Sequence, residues 1–237
     1  MTSPVGQAPS VYTNEGVRNQ LELLKRLLGL IPVKMPFLTG TPGVAVKREE
    51  MEAALDALSV ALTYFDDAQS CLNASAFIAG GIVGAATLEA LLMALLVLRK
   101  DEVIASRVYL HKTSNGKRTL LEFLRHADLG GLIEIAQELD WFHCDGIPMS
   151  FEAQFLSQMV PTARAGLIKH LENIKDLGLE AARTAKHFRN LVHPGRCIRD
   201  KVDLKTEDGM TGCLFLLLAF SALLDNKLST ATSKATP

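Results

Sequence analysis

The fold of this chain is decided by residues 75–98, which read SAFIAGGIVGAATLEALLMALLVL and contain one charged residue, Glu89. Such a stretch is long enough to cross a bilayer as a helix, and Gly80 and Gly84 form a small-residue pair that lets helices pack closely. An ionised Glu deep in a membrane span costs about 2–3 kcal/mol, and Gly and Ala offset little of it. We therefore predict a buried central helix rather than a membrane span, with Glu89 as a buried carboxylate that needs a partner.

The composition of the whole chain agrees with a helical fold. The 237 residues are 48% hydrophobic and 22% charged, which suits one large domain with a sizeable core. Leu and Ala are strong helix formers and dominate the sequence, whereas alternating runs of β-branched residues are scarce. We predict an all-α helical bundle. The net charge of −1 excludes a globally basic nucleic-acid coat protein but allows a local basic patch.

Hydrophobic periodicity and proline content divide the chain into four parts. Residues 1–15 are predicted to form a flexible tail, and residues 16–46 a helix followed by a proline-rich connector. Residues 47–228 form the predicted bundle, and residues 229–237 a second flexible tail. The N-terminal helix is indicated by apolar residues on one face: Val17, Leu21, Leu24 and Leu28.

Within the bundle, the sequence predicts helices separated by turns. Thr119 and Glu122 have the spacing of a capping box, which indicates the start of a short helix, and Gly130-Gly131 is expected to separate that helix from the next. The remaining predicted helices, besides the central one, are residues 47–72, residues 151–160, a long helix from residue 161 toward residue 193, and residues 207–228.

Candidate chemistry is concentrated in residues 186–196, which read KHFRNLVHPGR. Arg189 and His193 are four positions apart, so on a helix they share one face. Residues 181–205 contain seven Lys or Arg and two Asp, a local charge of +5 in a slightly acidic chain. Such a cluster predicts an anion site, most naturally for phosphate. The side chains that flank the Arg/His pair in this cluster are Lys186, Arg196, Arg199 and Lys201.

A purely structural interpretation of the same residues stays open. Basic side chains in the last turn of a helix interact favourably with its dipole and satisfy its last carbonyls. His193 is then a helix-end residue, and Arg189 is the buried partner of Glu89.

Cysteine usage indicates a reducing compartment, and we predict a cytoplasmic protein. The four cysteines form no C-x-x-C pair. A zinc site can be assembled from His143, Cys144, His193 and Cys197, but two adjacent ligands are awkward for one tetrahedral ion. We therefore predict no metal and no cofactor.

The string Arg-Asn-Leu-Val-His-Pro-Gly-Arg at residues 189–196 resembles the signature of the HEPN superfamily, the higher-eukaryote and prokaryote nucleotide-binding helical domains. Residues 66–92, with their small residues and Glu89, are similar to a helix pair of many such proteins. The resemblance covers about residues 50–225 and implies a HEPN-like bundle that forms a homodimer with the two motifs at the interface. Many members are metal-independent ribonucleases of toxin–antitoxin or phage-defence systems, whereas others are binding or dimerisation modules.

If the chain is such an endoribonuclease, the resemblance implies a role for each motif residue. His193 exchanges a proton with the ribose 2′-OH or the leaving oxygen, and Arg189 holds the phosphate. Asn190 orients a phosphate oxygen or the His. Lys186 and Arg196 guide the RNA backbone.

The spacing of the motif keeps a second function open. Three residues separate Arg189 from His193, whereas four to six is usual in the family. One helical position rotates a side chain by about 100°, which changes how the two groups meet a substrate. The alternative is a non-catalytic helical module that binds a nucleotide, a nucleic acid or a protein partner such as an antitoxin.

Overall fold

The computed structural model describes residues 47–114, 119–191, 206–223 and 225–226. These ranges contain ten α-helices and no strand, so the predicted all-α helical bundle is confirmed for the described part of the chain. The predictions for residues 1–46 and 229–237 lie outside the described residues. So do four candidate site residues: His193, Arg196, Arg199 and Lys201.

The first two helices form a long antiparallel hairpin. Helix α1 spans Arg48–Asn73 and helix α2 spans Phe77–Leu98, close to the predicted bounds. At the start of α1, the backbone N–H of Lys47 donates to Glu50 Oε2 at 3.1 Å. Ser75 adopts a left-handed φ of 59° between the helices, which turns the chain back on itself at the predicted break.

Helix α2 is the centre of the bundle. Fourteen of its 22 residues are buried, and α1, α9 (Leu177–Asn190) and α10 (Thr206–Leu223) pack around it. Its mean hydropathy of 2.2 and its length would suffice for a membrane span, yet 72% of its apolar window is buried inside the bundle. Glycines allow the close packing, since a Cβ at Gly84 would lie 2.9 Å from Leu216 of α10.

Four short helices follow the hairpin: α3 (Lys100–Ala105), α4 (Arg107–Thr113), α5 (Leu120–Leu124) and α6 (Leu129–Glu138). The predicted capping box opens α5, where Glu122 N donates to Thr119 Oγ1 at 3.2 Å and Thr119 N donates to Glu122 Oε2 at 2.8 Å. Helices α3 and α4 were not predicted, because six and seven residues are too few to show a periodic apolar pattern.

The expected break at Gly130-Gly131 is wrong. Both glycines lie in the first turn of α6, and Asp128 precedes that helix as its N-cap. Asp128 Oδ1 accepts a hydrogen bond from Gly131 N at 2.8 Å. The side-chain cap satisfies a backbone N–H that has no partner within the helix, which stabilises the first turn despite its glycines.

The predicted helix over residues 151–160 begins earlier and is shorter in the structure. Helix α7 spans Met149–Gln154, and a 3₁₀ turn at Leu156–Gln158 follows it.

The predicted long helix after Pro161 is interrupted. Helix α8 spans Pro161–Leu171, and α9 begins at Leu177 after Asp176, whose φ is 52°. Leu171 and Leu177 are both buried. Six positions on a continuous helix would point these two side chains in directions about 120° apart. The break brings both of them into the same core.

Candidate functional site

Three predicted site residues lie on one flank of the last turns of α9. The buried face of this helix consists of Leu177, Gly178, Ala181, Ala182, Ala185 and Phe188. Residues advance by about 100° around a helix, so Lys186, Arg189 and Asn190 fall together to one side of that face. The pairing of Arg189 with His193 stays a prediction, because His193 lies outside the described residues.

A wedged aromatic ring fixes the position of this turn. The Phe188 ring lies between Gly81 of α2 and Gly212 of α10. A Cβ at Gly81 would lie 2.8 Å from the ring, and one at Gly212 would overlap it. The two glycines therefore make room for Phe188 and hold its neighbour Arg189 against α2.

Arg189 contacts Glu89, as predicted. Arg189 Nε donates to Glu89 Oε2 at 2.8 Å, which joins α9 to the charged residue of the central helix. The side chains are 37% and 20% exposed, so the pair lies at the edge of the core. The terminal nitrogens of Arg189 make no hydrogen bond to another described residue.

Lys186 supplies a second cationic group on the same flank. Its amine lies directly over Gly130 in the first turn of α6, where any Cβ would overlap it. Lys186 forms no ion pair with a carboxylate of the described residues. The sequence carries one signal for this role of Gly130, which is Asp128, because Asp commonly caps a helix one or two positions before its first turn.

Asn190 is half-buried next to Arg189. Among the residues that the structure describes, none forms a hydrogen bond with its side-chain amide. The flank therefore presents an amide, a guanidinium end and an amine. Such donors suit an oxyanion, because each offers N–H groups and two of them are charged.

The described residues contain no group of three metal-ligating side chains. His143 is exposed, with Nε2 3.3 Å from Asp145 Oδ1, and it borders a cavity of about 190 Å³ at the start of α9. Burial raises the pKa of the half-buried Cys144 thiol. His193 and Cys197, the other ligands of the considered zinc site, lie outside the described residues.

Comparisons with protein-family models, with curated proteins and with solved structures give no match. The HEPN resemblance therefore stays a prediction that rests on residues 189–196.

Proposed function

We propose that the chain is an RNA-binding helical module, HEPN-like in its motif, that holds backbone phosphate on the flank formed by Lys186, Arg189 and Asn190. The observation that carries the proposal is the way Glu89 engages Arg189. It contacts only Nε, at 2.8 Å, and leaves both terminal nitrogens unoccupied by described residues. One carboxylate set against two cations leaves the flank with a formal charge of +1.

In this arrangement, the hydrogen bond to Glu89 fixes the orientation of the Arg189 side chain. A guanidinium has five N–H donors in a rigid fork, so one edge can hold a carboxylate while the terminal nitrogens bind a phosphate bidentately. The contact with Glu89 and the packing of the neighbouring Phe188 hold Arg189 in place before a ligand binds. A fixed side chain loses less conformational entropy on binding.

Binding of a fluorescein-labelled single-stranded RNA, measured by anisotropy at several salt concentrations, tests the proposal. We expect Lys186→Ala to weaken binding and to reduce the slope of log K against log salt by about 0.7, the change for one lost phosphate contact. Arg164→Ala is the matched control, because Arg164 lies on α8 and pairs with Glu152 at 3.1 Å. Equal affinity and slope for wild type and both variants would exclude an RNA site on this flank.

A second candidate function is metal-independent RNA cleavage at the same flank. It is favoured by the open end of Arg189, since a guanidinium that binds ground-state phosphate can also stabilise charge in the transition state. His193 would then transfer the proton. We expect His193→Ala to cut cleavage by about 10²–10⁴-fold without unfolding the chain.

Three controls separate cleavage from binding. Cleavage by the proposed mechanism persists in EDTA and fails on DNA, which lacks the 2′-OH. A contaminating nuclease would cleave equally well in the His193→Ala preparation. Wild-type protein that binds RNA but leaves it intact between about pH 6 and pH 8 would reject the nuclease and retain the binding module.

A further inference from the structure

The central helix is only partly covered on the side between α1 and α9, and we call this side the groove. Its floor is a stripe of α2 residues spaced by four, three and four positions: Ile82, Ala86, Glu89 and Met93. All four are half-buried, although most of α2 is fully buried. Neighbouring helices therefore cover this stripe only in part.

The α1 side of the groove is apolar and has the same spacing. It consists of Ala53, Ala57, Val60 and Tyr64. Val60 and Tyr64 are 43% and 40% exposed, and because they lie one helical turn apart they form one apolar patch.

Two contacts define how α1 and α2 are aligned along the groove. Met93 shares a cavity of about 110 Å³ with Ala53 and Ala57, and residues of α5 close that end. Further along, a Cβ at Gly80 would lie 3.0 Å from Leu72. Because the helices run antiparallel between these points, Val60 lies level with Glu89. Arg189 of α9, which pairs with Glu89 of the floor, lies on the opposite side of the groove.

The occupant that fits this groove has an apolar helical stripe of the same length. The α1 stripe extends over 12 residues, from Ala53 to Tyr64, or about 16 Å of helix. Residues 16–31 of this chain carry Val17, Leu21, Leu24 and Leu28, with the same spacing of four, three and four. Arg18 and Lys25 lie along one edge of that stripe. On α1, the exposed Asp56 and Asp67 border Val60 and Tyr64, so the two edges have complementary charge.

The connection is long enough for this segment to reach the groove. Residues 32–46 join the segment to Lys47, and an extended chain of that length spans up to about 50 Å. Lys47 precedes Ala53, at one end of the groove, by only six positions. A short tether gives an effective concentration of about millimolar, which favours the chain's own segment. A second copy docked symmetrically would bring two acidic α1 edges together.

We propose that residues 16–31 pack as an amphipathic helix into the groove and cover Val60 and Tyr64. The segment thereby completes the bundle beside Arg189. This inference rests on the apolar groove and not on RNA binding. An experiment can therefore reject it without rejecting the proposed function.

The test is the accessibility of the groove in the full chain. Val60→Cys introduces a thiol, and its labelling by a maleimide is followed at that peptide by mass spectrometry. In this background, Leu21→Asp/Leu24→Asp should raise the labelling rate about tenfold or more, because two apolar contacts are lost. Asn19→Asp/Arg26→Gln is the matched control, since it changes the net charge equally on the opposite face of the segment. It should leave the rate unchanged.

Two outcomes would overturn the proposal. Equal labelling in all three proteins would show that the segment does not cover the groove. Protection that disappears on dilution from about 50 μM to about 0.5 μM would identify a second copy as the occupant, because a tethered segment is insensitive to concentration. If the Asp variant loses its helical circular dichroism, Leu21→Ala/Leu24→Ala replaces it and should give a smaller increase.

Discussion

Glu89 holds Arg189 through one oxygen at the edge of the core, and substitutions at this position separate hydrogen bonding from charge. Glu89→Gln keeps an acceptor for Arg189 Nε, so we expect a loss of about 0.5–1 kcal/mol in the free energy of unfolding. Glu89→Leu should cost more, because it leaves a partly buried guanidinium without its acceptor. Urea denaturation measures both changes.

The control for this pair is the double substitution Glu89→Leu/Arg189→Leu. If the larger loss comes from the stranded guanidinium, removing it should restore part of the stability of Glu89→Leu. A Glu89→Leu protein as stable as wild type would show that the ion pair contributes nothing to the fold.

A second carboxylate, Glu138, makes the stability dependent on pH. Backbone hydrogen bonds from Val108 and Arg107, at 2.7 and 2.8 Å, lower the pKa of Glu138 from its ordinary value of 4.5. The charged form is therefore favoured by folding, and its contribution is present above about pH 4.5 and is lost as the pH falls through the lowered pKa. We expect Tm to fall less between pH 5 and pH 3 in Glu138→Gln than in wild type. Parallel Tm profiles would contradict this role.

Where α9 packs against α10, the ring of Phe188 leaves no room for a side chain at Gly212. A Cβ at Gly212 of α10 would overlap the ring, so Gly212→Ala should lower the free energy of unfolding by about 1–3 kcal/mol through overpacking. Gly166 on α8 is the matched control, because it is exposed and a Cβ there would meet nothing within 4 Å. Gly166→Ala should raise stability by about 0.5–1 kcal/mol.

Urea denaturation of the two alanine variants decides this prediction. Opposite signs are the expected result. A neutral effect at Gly212 would mean that α10 shifts away from Phe188 at little cost.

How far the sequence determines the helices depends on their length and on what they pack against. The bounds of α1 and α2 were predictable, because long apolar patterns and a polar break between them are local signals. The interruption before Leu177 was not predictable, because residues 172–176 contain neither Gly nor Pro. What places that break is the burial of both Leu171 and Leu177, which is a tertiary effect.

The candidate site was predictable only in part, for a related reason. Charge clustering identified Lys186 and Arg189, and the need to pair a buried carboxylate identified Glu89. Gly130 beneath Lys186 and the groove beside Glu89 arise from the packing of distant helices, and no local pattern encodes them.

For the whole molecule, the enclosure of α2 predicts behaviour in solution. With 72% of its apolar window buried, this helix should keep the chain soluble without detergent, and far-UV circular dichroism should be mainly helical. We further expect sedimentation at twice the monomer mass, because the family that the motif resembles shares its site between two protomers. A monomer at micromolar concentration would contradict a shared site, and a detergent requirement would favour a membrane location.

The wedge of Phe188 also has a kinetic consequence. The hairpin of α1 and α2 joins neighbours in the chain, so its loop closure costs little entropy and it is free to form early. The contact of Phe188 with Gly81 spans 107 positions of the chain, and it closes only when α9 docks on a finished hairpin. We expect this docking to follow the rate-limiting step, and a contact that forms then governs how fast the native state is lost. Damage to the wedge should therefore shorten the lifetime of the folded protein while leaving its refolding rate nearly unchanged.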